Sequence, residues 1–186
     1  MNAEHGIDQI VERSPQFWAR LAGFFYLLNS ITSISSFSGK LSGPILNGSN
    51  WIATASYVTV VLILWLLFRP VSRWLSLVAA IFGWLGCADQ AQWTDTFFHV
   101  HSLVFFGVYC TLLGVLILRS EFMPRLFGWL LFMAGAGWLT FVSPRLATLC
   151  SPYNYIGGGI GEIPLMLWLL SMGVNAPCWR AQAEAA

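Results

Sequence analysis

Charge is what this chain has least of. Only 9% of its 186 residues are Asp, Glu, Lys or Arg, against about a quarter in an ordinary soluble domain, while 57% are hydrophobic. A soluble helical bundle would need one-sided polar faces, and from Trp51 onward no segment shows that pattern. A net charge of +1 with scattered arginines offers nothing to neutralise a phosphate backbone, so nucleic acid is excluded as a partner. The four cysteines, Cys87, Cys110, Cys150 and Cys178, show no C-x-x-C spacing, which argues against a zinc knuckle or a thioredoxin-like motif. Residues 1–16 carry Glu4, Asp8, Glu12 and Arg13 ahead of Pro15 and lack the basic start and cleavage site of a signal peptide. There is no G-x-S-x-G, no H-E-x-x-H, no P-loop and no dinucleotide fingerprint.

What is present is a series of long apolar runs. Residues 97–118 hold no charge beyond two histidines, and a helix of that length crosses a hydrocarbon core of about 30 Å. Arg119 places a cation at its C-terminus, Pro124 suits the first turn of the next helix, and residues 126–142 cross back. This tight hairpin is the centre of the chain. Before it lie spans over 17–37, 51–68 and 74–90, and after it one over 156–174. Residues 38–50, with Lys40, Pro44 and Asn47-Gly48-Ser49-Asn50, read as a loop and turn. The expected fold is therefore all-α, a polytopic bundle of six transmembrane helices forming one domain over 1–186.

Arginine fixes the orientation. Arg13, Arg20, Arg69, Arg73, Arg119, Arg125 and Arg180 fall on one side of such a bundle, and Lys40 and Arg145 on the other. By the positive-inside rule, segment 1–16 and tail 176–186 are both cytoplasmic, and the expected location is the inner (plasma) membrane.

The titratable residues away from the basic side are Asp89, Asp95, His99, His101 and Glu162, all at the outer ends of the third, fourth and sixth spans. An ionisable group in hydrocarbon costs about 2.5–3.5 kcal/mol even on the lenient insertion scale, so an embedded one needs a partner or a purpose. Glu162 stands about one turn inside a span that opens with Gly157, Gly158, Gly159 and Gly161 and contains Pro164. Read for function, it is a proton carrier, a cation ligand or a general acid in a broken helix of the kind that lines transporter sites. Read for structure, it favours the positive end of its own helix, and the glycines form a close-packing face. Asp89, with Gln92 one turn on, is a second site candidate or a water-exposed helix end, and Asp95 is most simply an N-cap.

His99 and His101 are two apart, about 200° around a helix, so they face one metal only if the helix begins after them. We assign no metal and no cofactor. The catalytic candidates are Glu162, Asp89 and His99. The ligand-binding candidates are Asn29, Asp89, His99, His101, Tyr153 and Glu162. Serines and threonines from Ser30 to Ser36 turn the polar half of the first span toward other helices. Most of the 10 Trp, 14 Phe and 5 Tyr are lipid contact and interface belt, with Trp84, Trp93, Tyr153 and Tyr155 placed to wall an apolar pocket. Cys87 and Cys150 near outer span ends leave a disulfide open, subject to a Cα separation of about 4.4–6.8 Å.

Three blocks carry a resemblance: Arg20-Leu21-Ala22-Gly23-Phe24-Phe25-Tyr26-Leu27-Leu28; residues 103–128, with F-F-G-V-Y-C-T-L-L-G and R-S-E-F-M-P-R-L-F-G; and Gly161-Glu162-Ile163-Pro164-Leu165-Met166-Leu167-Trp168-Leu169-Leu170 on to Asn175. In these the chain resembles a family of small bacterial integral membrane proteins known as a domain of unknown function. The resemblance implies a six-span helical membrane domain and carries no activity onto these residues.

Three readings compete on this sequence. The first is a binding or transport-accessory module with an outward-facing polar cavity, whose partners are membrane lipids and a lipophilic small molecule. The second is an intramembrane enzyme using Glu162 or Asp89 as acid or base. The third is a structural partner for other membrane proteins. A cavity reaching Glu162 favours the first two, and a filled core favours the third. The sequence assigns no oligomeric state.

Overall fold

The computed structural model describes residues 11, 14–37, 42–90 and 101–185. All regular structure among them is helical. The long helices are α1 (Pro15–Phe37), α2 (Gly43–Phe68), α3 (Arg73–Gln90), α4 (Ser102–Arg119) and α5 (Arg125–Leu139). A 3-10 turn (Thr140–Val142) and the short α6 (Pro144–Cys150) follow, then α7 (Tyr153–Ser171) and α8 (Ala176–Glu184). Among the described residues, α2, α4 and the segment Arg125–Val142 are long and apolar enough to cross a membrane. The bent pair α7 and α8, taken together, makes a fourth. Polar residues, Gln16 and Arg20 at its start and Asn29, Ser30, Thr32 and Ser33 further on, hold α1 below that measure, and α3 is apolar but shorter, over Arg73–Ala88.

Helix contacts close a ring: α1 packs on α2, α2 on α3, α3 on α4, α4 on α5, α5 on α7 and α7 back on α1. The Arg69–Arg73 turn and the Arg119–Arg125 hinge share one end, since Arg69, Arg73 and Glu121 line one depression there and the tail helix α8 bonds to both Leu67 and Glu121. Leu64, Leu67, Phe68, Leu116, Ile117, Leu131, Leu165 and Leu169 are fully buried between the helices. The outside is apolar too. In α7, Ile156, Ile160, Ile163 and Leu167 are exposed, while Asn154, Gly158, Gly161, Leu165 and Leu169 are buried. Both sets recur at three- and four-residue steps, so one stripe of the helix packs inward and the other is an apolar exterior such as lipid would cover.

Several boundaries differ from the sequence reading. The expected turn at Asn47 to Asn50 is helical, because α2 begins at Gly43. Pro44 sits in its first turn, where a missing N–H costs nothing, and Ser49 Oγ donates to Thr32 O of α1 at 3.1 Å, holding the extension in place. The stretch after Val142, between the expected spans 126–142 and 156–174, contains α6. The glycine run does not break its helix either. α7 is continuous from Tyr153 through Pro164 to Ser171, which puts Glu162 at mid-helix, about 14 Å along the axis from its start.

The glycines serve close packing instead. A Cβ at Gly161 would stand 2.4 Å from Leu130 O, and one at Gly158 would stand 2.1 Å from the Trp138 ring. No side chain fits at either position, so α7 closes on the α5 backbone at Gly161 and on the Trp138 ring at Gly158.

α7 ends where Gly173 takes a positive φ of 70° and its N–H bonds to Trp168 O at 2.9 Å. Asn175 then caps α8, which runs at 97° to α7. This tail helix is tied down at the basic end. Trp179, 2% exposed, donates from Nε1 to Leu67 O at 2.8 Å, and the Gln182 amide oxygen accepts from the Glu121 N–H at 3.1 Å. The four cysteines are free thiols, so Cys87 and Cys150 form no disulfide.

Candidate functional site

Glu162 faces the interior of the ring. Its Oε1 accepts from Trp138 Nε1 at 2.6 Å and from Cys110 Sγ at 3.7 Å, and its Oε2 accepts from the Tyr26 hydroxyl. Tyr26, Cys110 and Glu162 lie near the midpoints of α1, α4 and α7, and Trp138 in the last turn of α5. Four helices therefore converge on one carboxylate. The spacing follows from each helix's buried face. Tyr26 shares a face of α1 with Ala19 and Ala22, and Cys110 follows Phe106 and precedes Leu113 on α4.

A cavity of about 320 Å³ adjoins this carboxylate. Its described walls come from the outer end of α1 (Asn29, Ser33), from Tyr57 on α2, from His101, Ser102, Leu103 and Phe106 at the start of α4, and from Trp138, Tyr155 and Glu162. It lies toward the end of the ring away from the arginine hinges, where α1 finishes and α4 begins. Two aromatic pairs flank it: Tyr57 and Phe106, with ring centroids 4.9 Å apart, and Trp138 and Tyr155, 6.0 Å apart. No lysine or arginine is among the described lining residues.

A carboxylate has about four lone-pair positions, and the three donors from Trp138, Cys110 and Tyr26 occupy three of them. One acceptor position, on Oε2, remains. A small apolar chamber that ends on a hydrogen-bonded carboxylate can seat a ligand by one donor group, or pass a proton between the carboxylate and the Tyr26 hydroxyl.

A profile described as Domain of unknown function (DUF4386) matches residues 87–173, which takes in α4 to α7 and with them His101, Cys110, Trp138 and Glu162. An uncharacterised protein of Archaeoglobus fulgidus is 30% identical over 132 residues, a match covering 62% of this chain and 76% of that protein. The chain belongs to this DUF4386 family. Neither match defines a molecular function, and no solved structure matches the chain.

The residues singled out in the sequence are divided by the structure. Glu162, Asn29 and His101 line one cavity. Asn29 spends its amide on the Ala53 carbonyl at 3.0 Å and does not reach Glu162. His101 is the N-cap of α4, its Nδ1 accepting from the Leu103 N–H at 3.3 Å, so its helix does begin after it. Tyr153 is 77% exposed and is not among the lining residues; Tyr155 takes that place. The Asp89 side chain, Trp93, Asp95 and His99 lie outside the described residues. Among the described residues, no group of three His, Cys, Asp or Glu side chains is arranged to hold a metal.

Tyr26, Cys110 and Trp138 were not singled out as partners of Glu162. A signal for two of them exists. A tyrosine in the middle of a span and a tryptophan one turn inside it each bring a polar hydrogen that needs an acceptor at depth.

Proposed function

We propose that this is a six-span membrane protein that binds a small lipophilic ligand from the outer side, in the cavity that ends on Glu162. The carrying observation is an intramembrane carboxylate held by donors from three other helices at the foot of an aromatic-walled cavity. A buried acid of this kind defaults to function because its desolvation has to be offset. The closed ring supports counting α1 and α3 as spans beside the more apolar helices, since each fills a place that lipid would otherwise reach. Arginines at one end support cytoplasmic termini and an inner-membrane location. Membrane lipids are the outer partners, covering the exposed stripes of α1, α5 and α7.

An enzyme acting on a lipid-soluble substrate is the second reading, favoured by the Tyr26 hydroxyl beside Glu162 as a route for a proton. A purely structural partner has less support. The glycine faces of α4, α5 and α7 are already used within the ring, where a Cβ at Gly107, Gly128, Gly135, Gly158 or Gly161 would meet a neighbouring helix.

Native mass spectrometry of protein purified in mild detergent tests the binding reading. The expected result is a bound species of small mass that Ser33→Phe, which fills the cavity wall, removes. Wild-type protein free of any such species under conditions that preserve the fold would overturn it.

A further inference from the structure

We propose that the cavity selects a ligand bearing a protonated amine on an apolar body, with the ammonium seated on Glu162. This deepens the binding reading above and rests on it. The groups that touch the carboxylate, the Trp138 indole N–H, the Tyr26 hydroxyl and the Cys110 thiol, are all neutral. They satisfy lone pairs without cancelling charge. The described cavity lining supplies no lysine or arginine to do so either. A carboxylate at this depth is best completed by a cation, because breaking or omitting one half of a buried ion pair leaves the other uncompensated.

The rest of the chamber agrees with that chemistry. Tyr57, Phe106, Trp138 and Tyr155 line the space beside Glu162, and aromatic faces attract ammonium groups within about 6 Å. The free acceptor position on Oε2 asks for an N–H, which a primary or secondary ammonium has and a quaternary one lacks. The volume of about 320 Å³ sits at the small end of ligand pockets and suits a compact head with a short apolar tail. Anions are opposed by the same carboxylate. Neutral alcohols would fill the hydrogen bond and leave the charge.

The test is calorimetric titration of the full chain in lipid nanodiscs at pH 7, with empty nanodiscs as the blank. The four probes share one tail: decylamine, decyltrimethylammonium, decanol and decanoate. Decylamine is protonated there, as an amine with an ordinary pKa of about 10.4 would be. It is expected to bind at least tenfold tighter than decanol, a difference of about 1.4 kcal/mol, with decyltrimethylammonium between them and decanoate weakest. Glu162→Gln is expected to bring decylamine and decanol within twofold of each other. Should that variant not fold, the ranking on wild-type protein still decides.

Equal binding of decanol and decylamine to wild type would overturn the cation inference and leave the binding reading standing. No binding of any probe above the blank would overturn both. A tenfold preference that survives Glu162→Gln would overturn the assignment to Glu162, and decyltrimethylammonium within twofold of decylamine would overturn the N–H requirement.

Discussion

Trp138 Nε1 donates to Glu162 Oε1 at 2.6 Å, and this one bond joins the last turn of α5 to the middle of α7. Trp138 also packs on Tyr155 and Phe141, at centroid distances of 6.0 and 6.2 Å. Replacing the indole by a phenyl keeps most of that aromatic packing and removes the donor. Trp138→Phe should therefore destabilise the protein by about 1.5–3 kcal/mol, the usual worth of a hydrogen bond to a charged group. Within a Glu162→Gln background the same change should cost only about 0.5–1.5 kcal/mol, as for a neutral pair. Equilibrium unfolding in mixed micelles measures both, and equal losses in the two backgrounds would refute a carboxylate-specific bond.

The glycines of α7 separate into two kinds. Gly161 presses on Leu130 O and Ala134 Cβ, at 2.4 and 2.5 Å from a Cβ placed there, whereas a Cβ at Gly159 meets only the Ile163 Cδ1 methyl at 3.7 Å. Gly161→Ala should push α5 and α7 apart and cost about 1–3 kcal/mol. Gly159→Ala should be neutral or stabilise by up to about 1 kcal/mol through helix propensity. Thermal unfolding of the two variants side by side is the measurement. A similar loss for both would mean that the run is helix-weakening and not a packing face.

The tail helix gives a third. Trp179 is buried against the end of α2, where its N–H answers the Leu67 carbonyl, one of the last carbonyls of a helix that have no partner within it. Trp179→Ala removes the ring as well as the bond and should cost about 3–5 kcal/mol. Trp179→Phe should cost about 1–3 kcal/mol, the penalty for one orphaned polar group. Limited proteolysis should cut α8 in the alanine variant first. A tail that remains as resistant as in the wild type would show that Gln182 and Asn175 suffice to dock it.

Much of the architecture was legible because it is written in single residues. Arg119, Ser120 and Pro124 mark the hinge: a cation favours the last turn of a helix and a proline the start of one, and the structure ends α4 and starts α5 there. The site was legible only in part. That Glu162 must turn inward follows from cost, but which groups meet it depends on how far four helices are rotated and raised, and no local pattern encodes that. The Asn47 region misled for a related reason. Asn-Gly-Ser-Asn favours a turn locally, and the bond from Ser49 to the Thr32 carbonyl of another helix outweighs that preference. Glycines in α7 read equally as a break or as a face, and only the proximity of Leu130 and Trp138 decides between them.

The last prediction concerns the six-span arrangement. Length and hydropathy single out three helices, or four with the bent pair, because α1 carries polar residues and the apolar part of α3 is short, Arg73–Ala88. Those of α1 have partners: Ser30 Oγ donates to Tyr26 O at 3.0 Å, Thr32 Oγ1 to Leu28 O at 2.8 Å, and the Asn29 amide to Ala53 O of α2. A polar group satisfied in this way does not bar a helix from the bilayer. With α1 and α3 crossing, the Arg119–Arg125 hinge and α8 must share one side of the membrane and the start of α2 must lie on the other. Ser120 is buried, so the hinge is best probed at its exposed neighbour Glu121, and the start of α2 at exposed Asn47. In a background with Cys150 and Cys178 replaced by serine, a membrane-impermeant maleimide added to whole cells should label Asn47→Cys, while Glu121→Cys should react only after the membrane is opened. Labelling of both from the outside would end the six-span arrangement, and the reversed pattern would keep six spans but turn the cavity toward the cytoplasm.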